Sequence, residues 1–276
     1  MEEKSKVGIV GVGMVGGALN NYLQKRDDVE IFLYDKGRDL ESVEETNKAD
    51  VVFICVPTPY NKNGDGFDLS FVESACENLT GEKVVVIKST VVPGTTEKLQ
   101  ADYPRHKFIF NPEFLSEKTA QEDMEVPDRQ IIGHTKESKD VAERVMSLLP
   151  DAPYKKIMPA TEAEMVKYFN NTFNAVKVIF ANQMYDLCEK IGVSYDSIME
   201  ASAKSKFIKT EDHLKIFHGG YRGYGGKCLV KDNRALIEFA KKNNLDLRLH
   251  KTAEEINEGL MDMQGIDDPE NFSKRT

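Results

Sequence analysis

Two groups of residues in this sequence have the types and spacing to do chemistry. The first is Gly11-Val12-Gly13-Met14-Val15-Gly16, which follows the apolar run Val7–Val10 and opens a helical stretch. In a G-x-G-x-x-G turn the first glycine permits a tight bend, and the second lets backbone approach a pyrophosphate. The third lets helix and strand pack closely, and the helix N-terminus then faces the phosphates. Asp35 ends the next strand, nineteen residues after Gly16, where a carboxylate accepts hydrogen bonds from a ribose diol. A carboxylate there repels a 2′-phosphate, so the pattern points to NAD over NADP, with Lys36 and Arg38 nearby as a counterweight. The second group surrounds Cys228 in Gly225-Gly226-Lys227-Cys228-Leu229-Val230-Lys231-Asp232. Two lysines and the start of a helix favour thiolate over thiol and so make a nucleophile. Cys55 lies in a strand, and Cys76 and Cys188 lie in helices beside apolar residues. These three read as small buried hydrophobes.

The elements that must position these groups follow from hydrophobic periodicity. Strands are predicted at Val7–Val10, Glu30–Asp35, Asp50–Val56, Lys83–Ile87, Lys107–Phe110, Gln130–Gly133 and Lys155–Ile157. Helices are predicted at Met14–Lys25, Leu69–Leu79, Thr95–Tyr103 and Lys136–Leu149. Strands alternating with helices of this size predict βαβ units on a doubly wound, Rossmann-like parallel sheet. The character changes near Pro159. Thr161 to Ile191 holds no Gly or Pro, and Thr161 with Glu164 spells a capping box at its start. Its apolar residues recur with helical period, through Met165, Phe169, Phe173, Phe180, Leu187 and Ile191. A helix this long and apolar predicts packing beyond its own domain, and hence a homodimer through 161–191. Helices at Ser194–Ala203, Ala235–Asn243 and Thr252–Met263 complete an all-helical part, with a Gly-rich loop at His218–Gly226. The expected organisation is a Rossmann-like domain over 1–158, a helical domain carrying Cys228 over 159–265, and a polar tail over 266–276.

Composition narrows the classes. With 276 residues, 40% hydrophobic and 30% charged, the chain can bury a core and is not globally disordered. A net charge of −9 without a Lys/Arg block argues against nucleic acid as a partner. Apolar runs such as Val51–Val56 are strand-sized, so no membrane span is expected. The start MEEKSK leads straight into a strand, and four cysteines without repeated spacing suggest reduced thiols, so a cytoplasmic setting is expected. His106, His134, His213, His218 and His250 are scattered without metal-ligand spacing, so no metal is expected.

Seven segments in order carry a resemblance. They are GVGMVG, Val56–Pro59 (VPTP), Lys88–Thr96 (KSTVVPGTT), Asn111–Glu117 (NPEFLSE), Pro127–Arg129 (PDR), Lys167–Thr172 (KYFNNT) and Gly223–Asp232 (GYGGKCLVKD). Together, over roughly residues 6–262, they resemble the UDP-glucose/GDP-mannose dehydrogenase family. The resemblance implies oxidation of a nucleotide sugar, UDP-glucose foremost, from C6 alcohol to carboxylate with two NAD⁺. It implies an aldehyde captured by Cys228 as a thiohemiacetal, then a thioester released by water. Lys167 and Asn171 match oxyanion donors, and their i, i+4 spacing puts them on one helix face. Asp232 matches a residue that holds the lysine or the hydrolytic water. Glu113 and Glu117 match loop glutamates, one a general base, and Thr90 matches a residue that positions water or cofactor. By the same resemblance Met14, Val15, Pro57, Thr58, Thr90, Glu117 and Lys231 join Gly11, Gly13, Gly16 and Asp35 around the cofactor. Phe114, Leu115, Tyr224 and Gly225 join Lys167, Asn171 and Cys228 around the substrate.

The chain departs from the family pattern at several places. Val230 stands where proline is usual after the nucleophile, Ser116 where Arg or Lys is common, and Arg222 where an aromatic is common. The third, nucleotide-binding domain of the family is not found after the last helix, so a separate chain supplying it is an expected partner. Two other functions compete with this one. A β-hydroxyacid-type dehydrogenase has a similar architecture but needs no cysteine, and a non-catalytic NAD-binding subunit needs no substrate at all.

Overall fold

The computed structural model describes residues 4–38, 40, 42–61, 66–217, 220–270 and 272. The first residues of the predicted loop, His218 and Gly219, lie outside the described residues, as do 271 and 273–276 of the tail. The chain forms two compact units, which meet in sequence at Lys167 and Tyr168, inside the long helix and beyond the boundary expected at 158.

The first unit is built on seven strands: β1 (Ser5–Val10), β2 (Val29–Tyr34), β3 (Val51–Ile54), β4 (Val84–Ile87), β5 (Lys107–Phe110), β6 (Gln130–His134) and β7 (Lys155–Pro159). Their order in the sheet is β2-β1-β3-β4-β5-β6-β7. Among the described residues six α-helices connect them, α1 (Met14–Leu23), α2 (Val43–Thr46), α3 (Ser70–Glu77), α4 (Thr95–Asp102), α5 (Ala120–Glu125) and α6 (Ala142–Leu148), the last preceded by a 3₁₀ turn at Lys139–Val141. The central strands are apolar throughout because both faces are covered. Val7, Ile9, Val51, Phe53, Val84, Val86 and Ile109 pack with Leu19 and Leu23 in one cluster. Val52, Ile54, Val85, Ile87, Phe108 and Phe110 pack with Val72, Leu79 and Leu99 in the other. Burial pushes the Cys55 and Cys76 thiols up to about 12.

Three expectations about this unit need correction. The sheet is not wholly parallel: β6 runs antiparallel to β5, pairing Ile109 with His134 and Phe110 with Gly133. A buried apolar strand reads the same in either direction, so its pattern carries no direction. The helix expected over Lys136–Leu149 begins at Ala142, because Thr135 N–H donates to Ser138 Oγ (2.9 Å) and closes a turn. The capping box at Thr161 is not formed. The long helix starts at Ala160, and the Glu164 carboxylate serves another helix. It accepts from Gly94 N–H (2.5 Å), Thr96 N–H (2.8 Å) and Thr96 Oγ1 (2.6 Å), at the N-terminus of α4.

Glu164 is fully buried, and burial raises its carboxyl to about 7 against the pull of the Thr96 and Gly94 hydrogen bonds. A carboxyl whose value rises on folding favours the folded state below its unfolded value of 4.5, and that contribution is lost as pH rises through 7. Glu164→Ala should therefore flatten the fall in stability between those pH values. It should also cost roughly 1–3 kcal/mol by leaving buried donors unpaired. Urea titrations across pH 5–8 measure both effects.

The second unit is helical. It contains α7 (Ala160–Ile191) from Tyr168 onward, α8 (Tyr195–Ala203), α9 (Leu229–Lys242) and α10 (Arg248–Asp262). α7 has a buried stripe through Tyr168, Ala175, Val178 and Ile179. It also has an exposed one through Phe169, Phe173, Phe180, Leu187 and Ile191, each more than half accessible. α9 begins six residues before the predicted Ala235. After Leu229 and Val230 its sequence turns polar, yet Asp232 and Asn233 are fully buried. Among the described residues no helix is long and apolar enough to cross a membrane.

Candidate active site

The first unit places the fingerprint where β1 turns into α1. Gly11 has φ +87°, and a Cβ there would meet the Cys55 carbonyl oxygen at 2.8 Å. A Cβ on Gly16 would meet the Gly11 carbonyl oxygen at 2.0 Å, so helix and turn touch backbone to backbone. Gly13 faces open space, with nothing within 4 Å of its would-be Cβ. No side chain caps α1, and its first turn, with Met14 and Val15, holds no acidic residue. Helix N–H groups left in this way accept an anionic ligand. Asp35 is pinned to the turn, accepting from Val12 N–H (2.7 Å) with one oxygen and Gly37 N–H (2.9 Å) with the other. An open glycine backbone, an uncapped helix and a fixed carboxylate after β2 fit a dinucleotide.

The loops after β3 and β4 are tied together. Buried Thr58 donates from Oγ1 to the Thr90 carbonyl (2.7 Å), and Ser89 donates to the Val56 carbonyl (2.7 Å). Pro57 beside them is exposed. After β5, Glu113 meets Lys167 of α7. Lys167 Nζ donates to both the Glu113 carboxylate and its backbone carbonyl, each at 2.7 Å, and both side chains are at most 9% exposed. Burial would raise the Glu113 carboxyl. The Lys167 charge and hydrogen bond, helped by Leu115 N–H (2.9 Å), hold it below the usual range instead. The Phe114 ring lies under the Arg129 guanidinium (3.8 Å) and within 5.9 Å of Lys167 Nζ. Glu117 stands exposed on the same loop.

In the second unit Asn171 donates from Nδ2 to Asp232 Oδ2 (2.6 Å), and Lys231 Nζ reaches Asp232 Oδ1 (3.0 Å). Asp232 is fully buried, and its N–H bonds the Cys228 carbonyl (3.1 Å), one turn back. Cys228 is the N-cap residue of α9 and is exposed, unlike Cys76 and Cys188. Tyr224 is 2% exposed and donates its hydroxyl to Glu254 (2.6 Å), so its ring belongs to the fold of the loop. Gly225 has no room for a Cβ, which would lie 2.7 Å from Tyr221 Oη.

The structure adds a residue that sequence reading passed over. Lys88, at the end of β4, is 4% exposed and donates to Asn111 Oδ1 (2.5 Å). Asn111 in turn donates to the Ile131 carbonyl (2.8 Å). Burial lowers its ammonium value, with Glu113 opposing and Lys167 adding to the effect. The signal was present in sequence: a lysine that directly continues the buried strand Val84–Ile87.

Two family models match the chain. The NAD binding domain of the UDP-glucose/GDP-mannose dehydrogenase family matches residues 36–149, and that family's central domain matches residues 161–259. The UDP-glucose 6-dehydrogenase of Rickettsia bellii is 36% identical over 217 residues, 75% of this chain and 48% of that protein. The chain spans about half the length of the curated relatives it matches. A solved UDP-glucose dehydrogenase from Pyrobaculum islandicum superposes with a TM-score of 0.80 at 29% identity, over 95% of this chain and 72% of that one. A Mycobacterium tuberculosis 3-hydroxyisobutyrate dehydrogenase superposes with a TM-score of 0.74 over 97% and 96% of the two chains. At 14% identity this likeness is one of fold alone.

Proposed function

The chain belongs to the UDP-glucose/GDP-mannose dehydrogenase family, with its NAD-binding and central domains, and from that premise we propose that it oxidises the C6 alcohol of a nucleotide sugar, UDP-glucose foremost, to the carboxylate. When bound, NAD⁺ supplies the hydride acceptor, two equivalents per sugar. Lys167 and Asn171 donate hydrogen bonds to the oxygen at C6 as charge develops there, a role in which one donor is worth about 3 kcal/mol. The Cys228 thiolate adds to the aldehyde carbon, forming a C–S bond and placing the charge on that oxygen. The thiohemiacetal is then oxidised to a thioester. Water attacks the thioester carbon, the C–S bond breaks, and the thiol returns with the proton that water gives up. Glu117 is the candidate base for that water, with Asp232 and Thr90 as its positioners. Glu113 holds Lys167. A cytoplasmic setting belongs to the same proposal.

The observation that supports this reading most is that both donors are built and buried on carboxylates. Lys167 sits on Glu113, and Asn171 sits on Asp232, one turn after the exposed Cys228. Incubation with UDP-glucose and NAD⁺ should give two NADH per sugar. No NADH with any of a panel of nucleotide sugars would refute the activity. The β-hydroxyacid reading is favoured by the end-to-end likeness of fold to 3-hydroxyisobutyrate dehydrogenase. It predicts one NADH, from a small hydroxyacid.

The same reading includes a homodimer through α7. The Phe169 and Phe173 rings lie near parallel (centroids 6.5 Å apart, 20°), and with Phe180, Leu187 and Ile191 they form an exposed apolar stripe. Each large side chain buried in a partner contributes roughly 1.5–3 kcal/mol. Phe173→Glu with Phe180→Glu should halve the mass seen by light scattering. An unchanged mass would exclude this face.

A further inference from the structure

The backbone that leads into Cys228 is gripped at alternate residues. Arg222 N–H donates to Gln264 Oε1 (2.8 Å), and Gln264 Nε2 donates back to the Arg222 carbonyl (3.1 Å). Tyr224 N–H donates to Asn257 Oδ1 (2.7 Å), and Asn257 Nδ2 donates back to the Tyr224 carbonyl (2.9 Å). Gly226 N–H donates to the Pro269 carbonyl (2.8 Å). Residues 222, 224 and 226 are the ones a neighbouring strand would pair on one edge. Here two side-chain amides and one carbonyl take the place of that strand.

The residue types are those the geometry demands. A carboxamide carries a donor nitrogen and an acceptor oxygen side by side in one plane, the arrangement that pairs with a backbone N–H and C=O, and neither a carboxylate nor an apolar side chain can close such a pair. Asn257 is fully buried, and a Cβ on Gly223 (φ +85°) would lie 2.6 Å from its Oδ1. Tyr224 is anchored at its far end by Glu254, which Arg234 of α9 also holds (2.5 Å). Tyr221 and Phe272 meet edge to face at 5.2 Å. All of these contacts lie before or after Cys228, and none involves a residue assigned above to the chemistry except Tyr224.

We propose that Asn257, Gln264 and the Pro269 carbonyl form a positioning clasp that fixes the loop 222–226 and so seats Cys228 at the N-terminus of α9. The inference rests on the reading of Cys228 as nucleophile. It makes α10 and the segment after it part of the apparatus that presents the thiol.

The test is amide exchange in the full chain, together with the rate of Cys228 alkylation by iodoacetamide. Asn257→Ala removes the partner of Tyr224 alone. If the three points act as one clasp, the amides of Arg222 and Gly226 should also exchange at least about tenfold faster, although their own partners remain. Cys228 alkylation should slow by about fivefold, because the thiol leaves the helix end that favours thiolate. With UDP-glucose, kcat should fall while the KM for NAD⁺ stays. Gln264→Ala, outside the helix, is the second variant should Asn257→Ala not fold: it removes the partner of Arg222, and the amides of Tyr224 and Gly226 should then exchange faster, with the same slowing of Cys228 alkylation. Tyr195→Phe is the control. It removes a buried hydrogen bond to the Leu214 carbonyl (2.7 Å) in the same unit and should leave Cys228 alkylation unchanged. Faster exchange confined to Tyr224, or alkylation within twofold of wild type, would overturn the clasp. If Cys228→Ser still gives two NADH per sugar, the nucleophile reading fails on its own, and the exchange and alkylation results are unaffected.

Discussion

Cys228→Ser should stop the reaction short of the acid, lowering acid formation by about 10³-fold or more and NADH from two per sugar to at most one. The first hydride transfer needs the oxyanion donors and a base but no sulfur, so aldehyde can still form. Capture of that aldehyde needs an anionic nucleophile, and a serine hydroxyl ionises far less readily than a thiol. The change should be neutral for folding, within about 0.5 kcal/mol, because residue 228 is exposed and lies outside both helical clusters. The result therefore reports on chemistry. Single-turnover quenching with excess enzyme should trap free aldehyde from the variant and a thioester on the wild type. Thiol reagents can target this residue selectively, since Cys76 and Cys188 are buried and burial pushes the Cys55 thiol up to about 12. A β-hydroxyacid-type enzyme would lose nothing by the substitution. Full acid formation by Cys228→Ser would end the thioester reading.

Most of the first unit was legible in the sequence because its signals are local. Val51–Ile54 and Val84–Ile87 are buried on both faces and read as unbroken apolar runs. The glycine turn is legible because Gly11 and Gly16 have no room for a Cβ, and glycine alone meets that demand. What escaped depends on contacts between distant segments. Glu164 lies three residues after Thr161 and imitates a capping box, yet its partners are Gly94 and Thr96, about seventy residues away. The start of α9 escaped because Lys231, Asp232 and Asn233 look solvated. The adjacent Lys231 and the distant Asn171 together make the burial of Asp232 possible, and Asn171, sixty-one residues away, is not implied by the local sequence. Lys88 escaped for the same reason: its hydrogen bond to Asn111 bridges two strands. In the candidate site, residue types and order were readable from motifs. The pairing of Lys167 with Glu113, and of Asn171 with Asp232, required coordinates.

That first pairing makes Lys167→Met the second large effect. Loss of an oxyanion donor should lower kcat by about 10²–10³-fold. The same change strips a buried carboxylate of its counter-charge, so stability should drop by roughly 3–5 kcal/mol. The two losses have different origins and can be separated. In the wild type the Glu113 carboxyl lies below its ordinary 4.5, so its contribution is present above 4.5 and fades as pH falls through the folded value. Without Lys167, burial is the largest influence left on Glu113, and it raises the carboxyl. In the variant Glu113 should then add to the gain in stability that Glu164 gives both proteins as pH falls, and the stability difference between variant and wild type in a urea series from pH 8 to 4 reads the sign. Adding Glu113→Gln to Lys167→Met removes the stranded charge and should restore most of the stability at pH 7. Activity should not return, because the donor is still missing. If the double variant recovers kcat along with stability, Lys167 acts only through the fold. If it recovers stability alone, Lys167 is the oxyanion donor and Glu113 the group that keeps it in place.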